Sequence, residues 1–425
     1  MFCLTNKAER TYRHRCFALN FTYRSELHLR RRIFDGMEII MAKIKLLNKI
    51  SPAGIAVFDR DRYEISTDIA DPDAIMVRSA SMHDMKMPES LRAIARCGAG
   101  VNNIPVEDCA HRGIVVFNTP GANANGVKEL AVAALLLASR NIVGGIEWAN
   151  TLESDVAKSV EKGKSAFAGC ELEGKTLGVI GLGAIGGMVA NTAKVLGMNV
   201  IGYDPYITVE AAWHLSRSIR KAASYDEIFK ECDYISLHVP ATKETKNMIN
   251  SGSIAMMKNG VRIINLARAD LVCAADLKDA LADSHVASYV TDFPTEETVR
   301  TPGIITRPHL GASTAESEDN CAVMAAHELT DYLENGNISH SVNFPAVTMP
   351  RSDAHRLIIL HMNVPNMISN ITSALAEQSI NIENMTNRSK GEFACTLVDT
   401  ADTVSPATID KIKECSGIIR VISID

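Results

Sequence analysis

Three residues in the second half of the chain have the side chains that hydride transfer from an alcohol requires. Arg268, Glu296 and His309 each follow a short apolar stretch. A histidine with a pKa near neutrality can take the hydroxyl proton, and a neighbouring carboxylate orients the ring and stabilises its charged form. An arginine fork grips a carboxylate and polarises the carbonyl oxygen beside it. Each residue taken alone is more often an ordinary surface or loop side chain.

A cofactor that accepts the hydride would bind at a glycine-rich turn earlier in the chain. The apolar run Thr176–Ile180 predicts a buried parallel strand, and Gly181, Gly183 and Gly186 follow it in G-x-G-x-x-G spacing. Such glycines allow a tight turn, close approach of backbone N–H groups to a pyrophosphate, and packing of the next helix on the strand. A second strand ends at Asp204, and an acid there accepts both ribose hydroxyls and repels a 2′-phosphate, which favours NAD over NADP. The alternative is a glycine-rich turn of some other α/β protein.

Three turns near the start of the chain have the composition of an anion site. Arg78 and Ser79 follow an apolar stretch, and Arg96 precedes a glycine-rich turn whose successive N–H groups would form an anion nest. The polar loop Asn118–Asn123 is the third. Each turn alone is more often an ordinary one, and Arg96 is equally consistent with surface charge beside the nest.

The elements that must position these residues alternate along the chain. Short strands and helices alternate over Lys43–Asn123, with a helix at Pro88–Arg92, and again after Asp204, where they predict a parallel sheet of about six strands. Val127–Trp148 predicts a long apolar helical stretch, and Thr151–Cys170 a polar loop. The fold class is therefore α/β, with two doubly wound parallel-sheet domains. Residues 341–353 have the composition of a linker, and residues 354–425 a βαββαβ pattern.

Composition excludes several other classes of protein. A net charge of -6 at pH 7 argues against a generic nucleic-acid or acidic-membrane binder. Ten cysteines without C-x-x-C pairs or metal-ligand spacing indicate reduced thiols and a cytoplasmic protein that binds no metal. No apolar run is long enough to span a bilayer. Residues 1–42 are basic. This composition indicates either an extension, disordered or targeting, or a start codon placed too early.

Together these motifs resemble the D-2-hydroxyacid dehydrogenase family over residues 43–425. The matching stretches follow the family's order: the Val77-Arg78-Ser79-Ala80 turn, the nest, the glycine fingerprint with Asp204, the Ala267-Arg268 turn and the run Pro308-His309-Leu310-Gly311-Ala312-Ser313-Thr314. The resemblance implies a Rossmann NAD domain at 126–309 and a discontinuous, flavodoxin-like substrate domain at 43–125 and 310–340. It also implies a C-terminal ACT regulatory domain at 354–425.

The resemblance implies roles for individual residues as well. Arg268, Glu296 and His309 correspond to the family's catalytic trio. The cofactor contacts would be Gly181, Gly183, Ala184, Ile185, Gly186, Asp204, His238, Pro240, Ala267 and Asp292. The substrate contacts would be Arg78, Ser79, Arg96, Gly98, Ala99, Gly100, Val101 and Arg140. An L-serine effector would contact His361, Asn363 and Asn381 of the ACT domain.

The expected activity is NAD-dependent oxidation of D-3-phosphoglycerate at C2, the first step of L-serine biosynthesis. The arginines that flank the nest favour this phosphorylated 2-hydroxy acid, and the resemblance implies a homodimer or homotetramer. Another D-2-hydroxy acid or glyoxylate is the alternative substrate. A non-catalytic NAD-sensing corepressor and an amino-acid sensor centred on the ACT domain are the alternatives outside catalysis.

Overall fold

The computed structural model describes residues 41–352 and 354–424. Residues 1–40 of the predicted basic extension therefore lie outside the described residues. Lys43–Phe58 and Ile65–Asp425 fall into one compact unit. The described residues of the other unit include Ala42 and Asp59–Glu64, and there the N–H of Ala42 donates to the carbonyl of Arg62 at 3.0 Å.

Strands and helices alternate through most of the chain. The strands are β1 (Ala42–Leu47), β2 (Tyr63–Ser66), β3 (Ala74–Val77), β4 (Ala93–Arg96), β5 (Val115–Asn118), β6 (Thr176–Ile180), β7 (Asn199–Tyr203), β8 (Arg220–Lys221), β9 (Tyr234–Leu237), β10 (Val261–Asn265), β11 (Val286–Thr291), β12 (Ile304–Thr306), β13 (His355–Met362), β14 (Ile382–Lys390), β15 (Phe393–Thr400) and β16 (Ile418–Ile424). The helices are α1 (Pro52–Ile55), α2 (Val106–His111), α3 (Ala124–Ser139), α4 (Ile142–Ala149), α5 (Val156–Gly163), α6 (Ala184–Val195), α7 (Val209–Trp213), α8 (Tyr225–Glu231), α9 (Ser251–Ala255), α10 (Ala274–Ala282), α11 (Ala315–Asn335), α12 (Met367–Ala376) and α13 (Pro406–Lys413). Lys164–Phe167 and Ala269–Leu271 are 3₁₀ turns.

Two parallel sheets carry the predicted site. In the first, β1, β3, β4 and β5 pair in that order, and α11 returns from late in the chain to pack on β4 and α1. The second has the order β12-β11-β10-β9-β6-β7-β8. Strand β6 is buried on both faces: Leu177 and Val179 pack with α3 and α6, whereas Ile180 packs in the core on the opposite face.

The C-terminal sheet is antiparallel, with the order β14-β15-β13-β16 and βαββαβ connectivity. The two parallel sheets and this small antiparallel one confirm the predicted fold class. Arg356 anchors the sheet: its fully buried guanidinium donates to both carboxylate oxygens of Asp399, at 2.6 and 2.8 Å, and to the carbonyls of Asn335, Met349 and Pro350. All five guanidinium hydrogens are thereby used, which a buried charge requires.

Helix α11 connects the site to this anchor. Its N-cap is Thr314, whose hydroxyl accepts from the N–H of Ser317 at 3.0 Å, and its C-cap is Gly336, which has the left-handed conformation. Glu328, midway along, is only 8% exposed, and its Oε1 lies 2.6 Å from Nδ1 of His340. Burial raises the pKa of Glu328 to about 8, which favours the protonated carboxyl at neutral pH.

Three local predictions were wrong. Pro88–Arg92 forms a turn rather than a helix, because the N–H groups of Arg92 and Ala93 both donate to the carbonyl of Asp73 and draw the chain into β4. The apolar stretch after Val127 breaks at Arg140, which is extended, so α3 and α4 meet at 71°. The polar segment before β6 contains α5 and a 3₁₀ turn.

Within the described ranges, no single helix is long and apolar enough to cross a membrane, and only the bent pair α3 and α4 passes such a test jointly.

Candidate active site

The glycine turn after β6 has the shape that a dinucleotide phosphate requires. Gly181 has a φ of +88°, and a Cβ there would lie 2.5 Å from the carbonyl oxygen of His238. A Cβ on Gly186 would lie 1.9 Å from the carbonyl oxygen of Gly181, so α6 can pack on the turn only without one. A Cβ on Gly183 would meet nothing within 4 Å. The first and third glycines thus permit the turn, and the second leaves space for the pyrophosphate at the start of α6, where Ala184 and Ile185 follow.

Asp204 closes one side of this turn. It follows β7, and its Oδ2 accepts from the N–H of Leu182 at 2.9 Å while its Oδ1 accepts from the N–H of Tyr206 at 2.9 Å. The carboxylate is therefore fixed beside the glycine turn, where a ribose would lie. His238 follows β9, the other neighbour of β6. Its ring bonds to the Ser236 hydroxyl at 2.8 Å, and burial lowers the pKa of His238 to about 4. A neutral His238 suits a pocket wall better than a second base.

The register of the second sheet brings the candidate catalytic residues to one edge. Leu237 of β9 pairs with Asn265 of β10, which pairs with Thr291 of β11, which pairs with Thr306 of β12. Arg268 lies three residues after Asn265, the end of β10, and His309 lies three residues after Thr306, the end of β12. Both lie, with Ala267, at the carboxyl edge, where ligands of such sheets bind.

Phe293 joins Arg268 to His309. Its ring centroid lies 4.7 Å from that of His309, and the Arg268 guanidinium carbon lies 6.0 Å from the same ring centroid. Arg268 and His309 are both exposed, so this ring is the common surface against which the two side chains rest. Sequence reasoning assigned Phe293 no role, although it follows directly after the candidate cofactor residue Asp292.

Asp292 is almost fully buried behind this group, at 1% exposure. Burial raises its pKa, although the nearby His309 and Arg307 act in the opposite direction. Its Oδ1 has no hydrogen-bond partner among the described residues, nor have Nε and Nη2 of Arg307. These unpaired groups leave Asp292 available to a polar group of the cofactor.

Glu296 is not hydrogen-bonded to His309 within the described residues. It lines a cavity of about 660 Å³ together with Ala269, Asp270 and Phe293. Between residues 41 and 424, excluding residue 353, no hydrogen bond or ion pair joins Glu296 to His309. Phe293 lines the same cavity as Glu296 and also contacts the ring of His309.

The predicted anion nest has three open donors. The N–H of Gly98 is used internally, since it donates to the carbonyl of Arg96 at 2.8 Å, whereas those of Ala99, Gly100 and Val101 donate to no other described residue. Gly98 acts through its missing side chain instead: a Cβ there would lie 1.4 Å from Nη1 of Arg96. The Arg96 guanidinium therefore packs directly on the nest backbone, with its Nε buried and unpaired among the described residues.

A cavity of about 110 Å³ adjoins the nest and brings Arg78 and Arg96 together. Its other walls come from Lys49 and from the chain just after His309, with Ser313 and Ser317 among the residues there. Ser79 lies beside it, its N–H donating to Asn48. Lys49, Ser313 and Ser317 were not among the predicted site residues. Their positions gave a signal, because Lys49 follows the end of β1, Ser313 belongs to the His309 motif and Ser317 lies just after it.

Arg140 and the predicted effector residues lie elsewhere. Arg140 ends α3 and lines neither cavity. His361 is 2% exposed, and both ring nitrogens are bonded, to Met362 and Thr396. Asn363 follows β13, whereas Asn381 precedes β14 beside Thr400, at the opposite end of the sheet, about 20 Å away by strand rise. One chain does not bring the three effector residues together.

Known proteins share this architecture. The family model described as D-isomer specific 2-hydroxyacid dehydrogenase, NAD binding domain, matches residues 132–311. D-3-phosphoglycerate dehydrogenase of Haemophilus influenzae is 32% identical over 375 residues, which cover 85% of this chain and 88% of that protein. The chain belongs to the D-isomer specific 2-hydroxyacid dehydrogenase family. NAD is therefore its cofactor, as the glycine turn and Asp204 predict.

Two further similar proteins are a longer relative and a crystal structure that contains the bound cofactor. D-3-phosphoglycerate dehydrogenase of Methanocaldococcus jannaschii is 33% identical over 80% of this chain, which spans only 64% of that relative. The crystal structure of NAD+-bound 3-phosphoglycerate dehydrogenase of Entamoeba histolytica aligns with a TM-score of 0.55 and 28% identity, over 71% of this chain and 99% of that one.

Proposed function

We propose that the chain oxidises D-3-phosphoglycerate to 3-phosphohydroxypyruvate with NAD, the first step of L-serine biosynthesis. The observation that carries this proposal is the small cavity in which Arg78, Arg96 and Lys49 meet the chain that follows His309. An acid with two anionic ends needs such a cationic site close to the base. The names of the relatives from H. influenzae and M. jannaschii support the same substrate.

In this proposal His309 takes the proton of the C2 hydroxyl. When bound, NAD accepts the hydride that leaves C2, so that the alcohol becomes a ketone and one proton remains on the imidazole. The free N–H groups of the nest hold the substrate carboxylate together with Arg268, which also polarises the C2 oxygen. Phe293 keeps Arg268 and His309 on one surface.

We assign the role of stabilising protonated His309 to Glu296. Its support is the match of Phe293-Pro294-Thr295-Glu296 to the family motif and its place on the loop that begins at Phe293. The side-chain and backbone bonds between Thr295 and Thr298 define that loop, with N–H to Oγ1 at 2.9 Å. Movement of this loop towards His309 on substrate binding is part of the proposal.

We further propose that residues 354–425 are an ACT regulatory domain that binds L-serine between two copies of the chain. The βαββαβ sheet supports the domain, and the separation of Asn381 from Asn363 supports a shared site. A homodimer or homotetramer follows from this arrangement. The free cysteines of the described residues support a reducing, cytoplasmic location.

A substrate panel tests the proposal. The protein is assayed for NADH absorbance with D-3-phosphoglycerate, D-glycerate, D-lactate and glyoxylate, with NAD or NADP (reduced cofactor for glyoxylate) and with or without L-serine. We expect NAD-dependent turnover of D-3-phosphoglycerate with the highest kcat/KM. The control is His309→Ala, which should lose turnover while NADH binding, followed by fluorescence, persists.

Other outcomes would overturn it in distinguishable ways. Turnover of an unphosphorylated acid or glyoxylate alone makes the chain a different 2-hydroxyacid dehydrogenase. NAD binding without turnover of any acid favours a sensor or corepressor. Loss of NADH binding in His309→Ala would give that histidine a structural role.

A further inference from the structure

The cavity beside the nest contains three cations in different states of pairing. Lys49 is exposed, and its ammonium group makes no hydrogen bond or ion pair with another described residue. Arg96 donates one long bond, of 3.3 Å, from Nη1 to the carbonyl of Cys97. Arg78 is paired, because its Nη2 lies 2.7 Å from Oε1 of Glu318.

Glu318 is the one carboxylate among the residues that line this cavity. It lies in the first turn of α11, just past the motif that contains His309. The ion pair with Arg78 is open to solvent, with 39% and 43% of the two side chains exposed. Exposed ion pairs are weak, so a competing anion of higher charge can replace the carboxylate on Arg78.

The charges of the cavity match a phosphate better than a second carboxylate. Three cations against one carboxylate leave a net charge of +2 while Glu318 stays in place. A phosphate monoester carries about -1.5 to -2 at neutral pH and three strong acceptor oxygens. A neutral hydroxyl at C3 of an unphosphorylated acid offers no charge with which to displace Glu318.

We propose that Lys49 and Glu318 determine the charge class of the substrate at this cavity. Lys49 supplies an unpaired cation for a distal phosphate, and Glu318 holds Arg78 until that phosphate arrives. The inference rests on the proposed function, since it assigns the distal end of the same substrate. In this assignment, two residues outside the catalytic trio discriminate between phosphorylated and unphosphorylated 2-hydroxy acids.

Steady-state kinetics of the full-length protein with NAD test this assignment. For Lys49→Met we expect KM for D-3-phosphoglycerate to rise at least about tenfold, with kcat within about twofold and KM for D-glycerate unchanged. For Glu318→Gln we expect KM for D-3-phosphoglycerate to fall several-fold, because Arg78 is then free. Lys86→Met and Glu316→Gln, which change exposed residues outside the cavity, serve as matched controls.

Equal changes of KM for both acids, or no change in either variant, would overturn the inference. Calorimetric titration with inorganic phosphate separates this result from failure of the proposed function. If the parent binds NAD but does not oxidise D-3-phosphoglycerate, the proposed function fails. Weaker phosphate binding in Lys49→Met and tighter binding in Glu318→Gln would still support the inference, and unchanged binding would overturn it.

Discussion

The ring of Phe293 lies 4.7 Å from the ring of His309, at an interplanar angle of 51°. The same ring faces the Arg268 guanidinium at 6.0 Å. The candidate base and Arg268 therefore share one aromatic neighbour that has no reactive group of its own.

Replacement of Phe293 by leucine should lower kcat about two- to tenfold, since an aromatic pair contributes about 0.5–1.5 kcal/mol beyond its buried area. The dissociation constant for NADH should stay the same, because the glycine turn is untouched. Phe167→Leu removes the comparable ring contact with Trp148, which involves none of the candidate site residues, and should leave kcat unchanged. Equal kcat values for Phe293→Leu and the parent would remove the positioning role.

Replacement of Asp204 by asparagine should weaken NAD binding about tenfold and improve the ratio of NADP to NAD use. The substitution removes the charge that holds ribose hydroxyls and repels a 2′-phosphate. The measurement is titration with both nucleotides. Asp283→Asn is the control, because Asp283 also accepts from a backbone N–H, that of His285 at 2.9 Å, at a turn before β11. Unchanged NAD affinity would contradict the assignment.

Replacement of Arg356 by methionine should destabilise the C-terminal sheet by about 3–5 kcal/mol, because Asp399 is left buried and unpaired. The loss is measured by chemical denaturation of the protein and by hydrogen exchange of the amides in β13 and β15. In the control Lys413→Met, an ion pair with both side chains at least half exposed is removed, and the cost should stay below about 1 kcal/mol. Similar costs for the two variants would show that the buried pair contributes little.

Glu328 should make the protein less stable as the pH rises from about 4.5 to 8. Its pKa is about 8 when folded and about 4.3 when unfolded, so unfolding in this window releases a proton and is favoured by higher pH. Glu328→Gln removes this dependence, and its advantage over the parent should grow by up to about 1.4 kcal/mol per pH unit. Denaturation at pH 6, 7 and 8 measures the difference.

Glu316→Gln, an exposed position on the same helix, should follow the parent at every pH. Parallel curves for the parent and Glu328→Gln would mean that the carboxyl is ionised in the folded protein.

Much of the geometry of the candidate site could be predicted, because its residues follow strand ends. Strand β6, the three glycines and Asp204 form a local pattern, and the register of parallel strands then brings Arg268 and His309 to the same edge. The open N–H groups after Gly98 were likewise visible as a glycine-rich turn.

The remaining features depend on contacts that are distant in the chain. The ion pair of Arg78 with Glu318 joins residues 240 positions apart, so no local pattern indicates it. The turn at Pro88–Arg92 follows from hydrogen bonds to Asp73, and the break after α3 from the extended backbone of Arg140. Helical propensity competes with such tertiary contacts and loses to them.

Helix α11 runs for 21 residues, about 30 Å, from the loop that carries His309 to the carbonyl of Asn335 that Arg356 grips. A stiff rod fixed at its far end transmits tilt to its near end, where Glu318 faces Arg78. Any event that loosens the C-terminal sheet, such as ligand binding or truncation, would thus change how Glu318 holds Arg78, without altering any residue of the candidate catalytic trio.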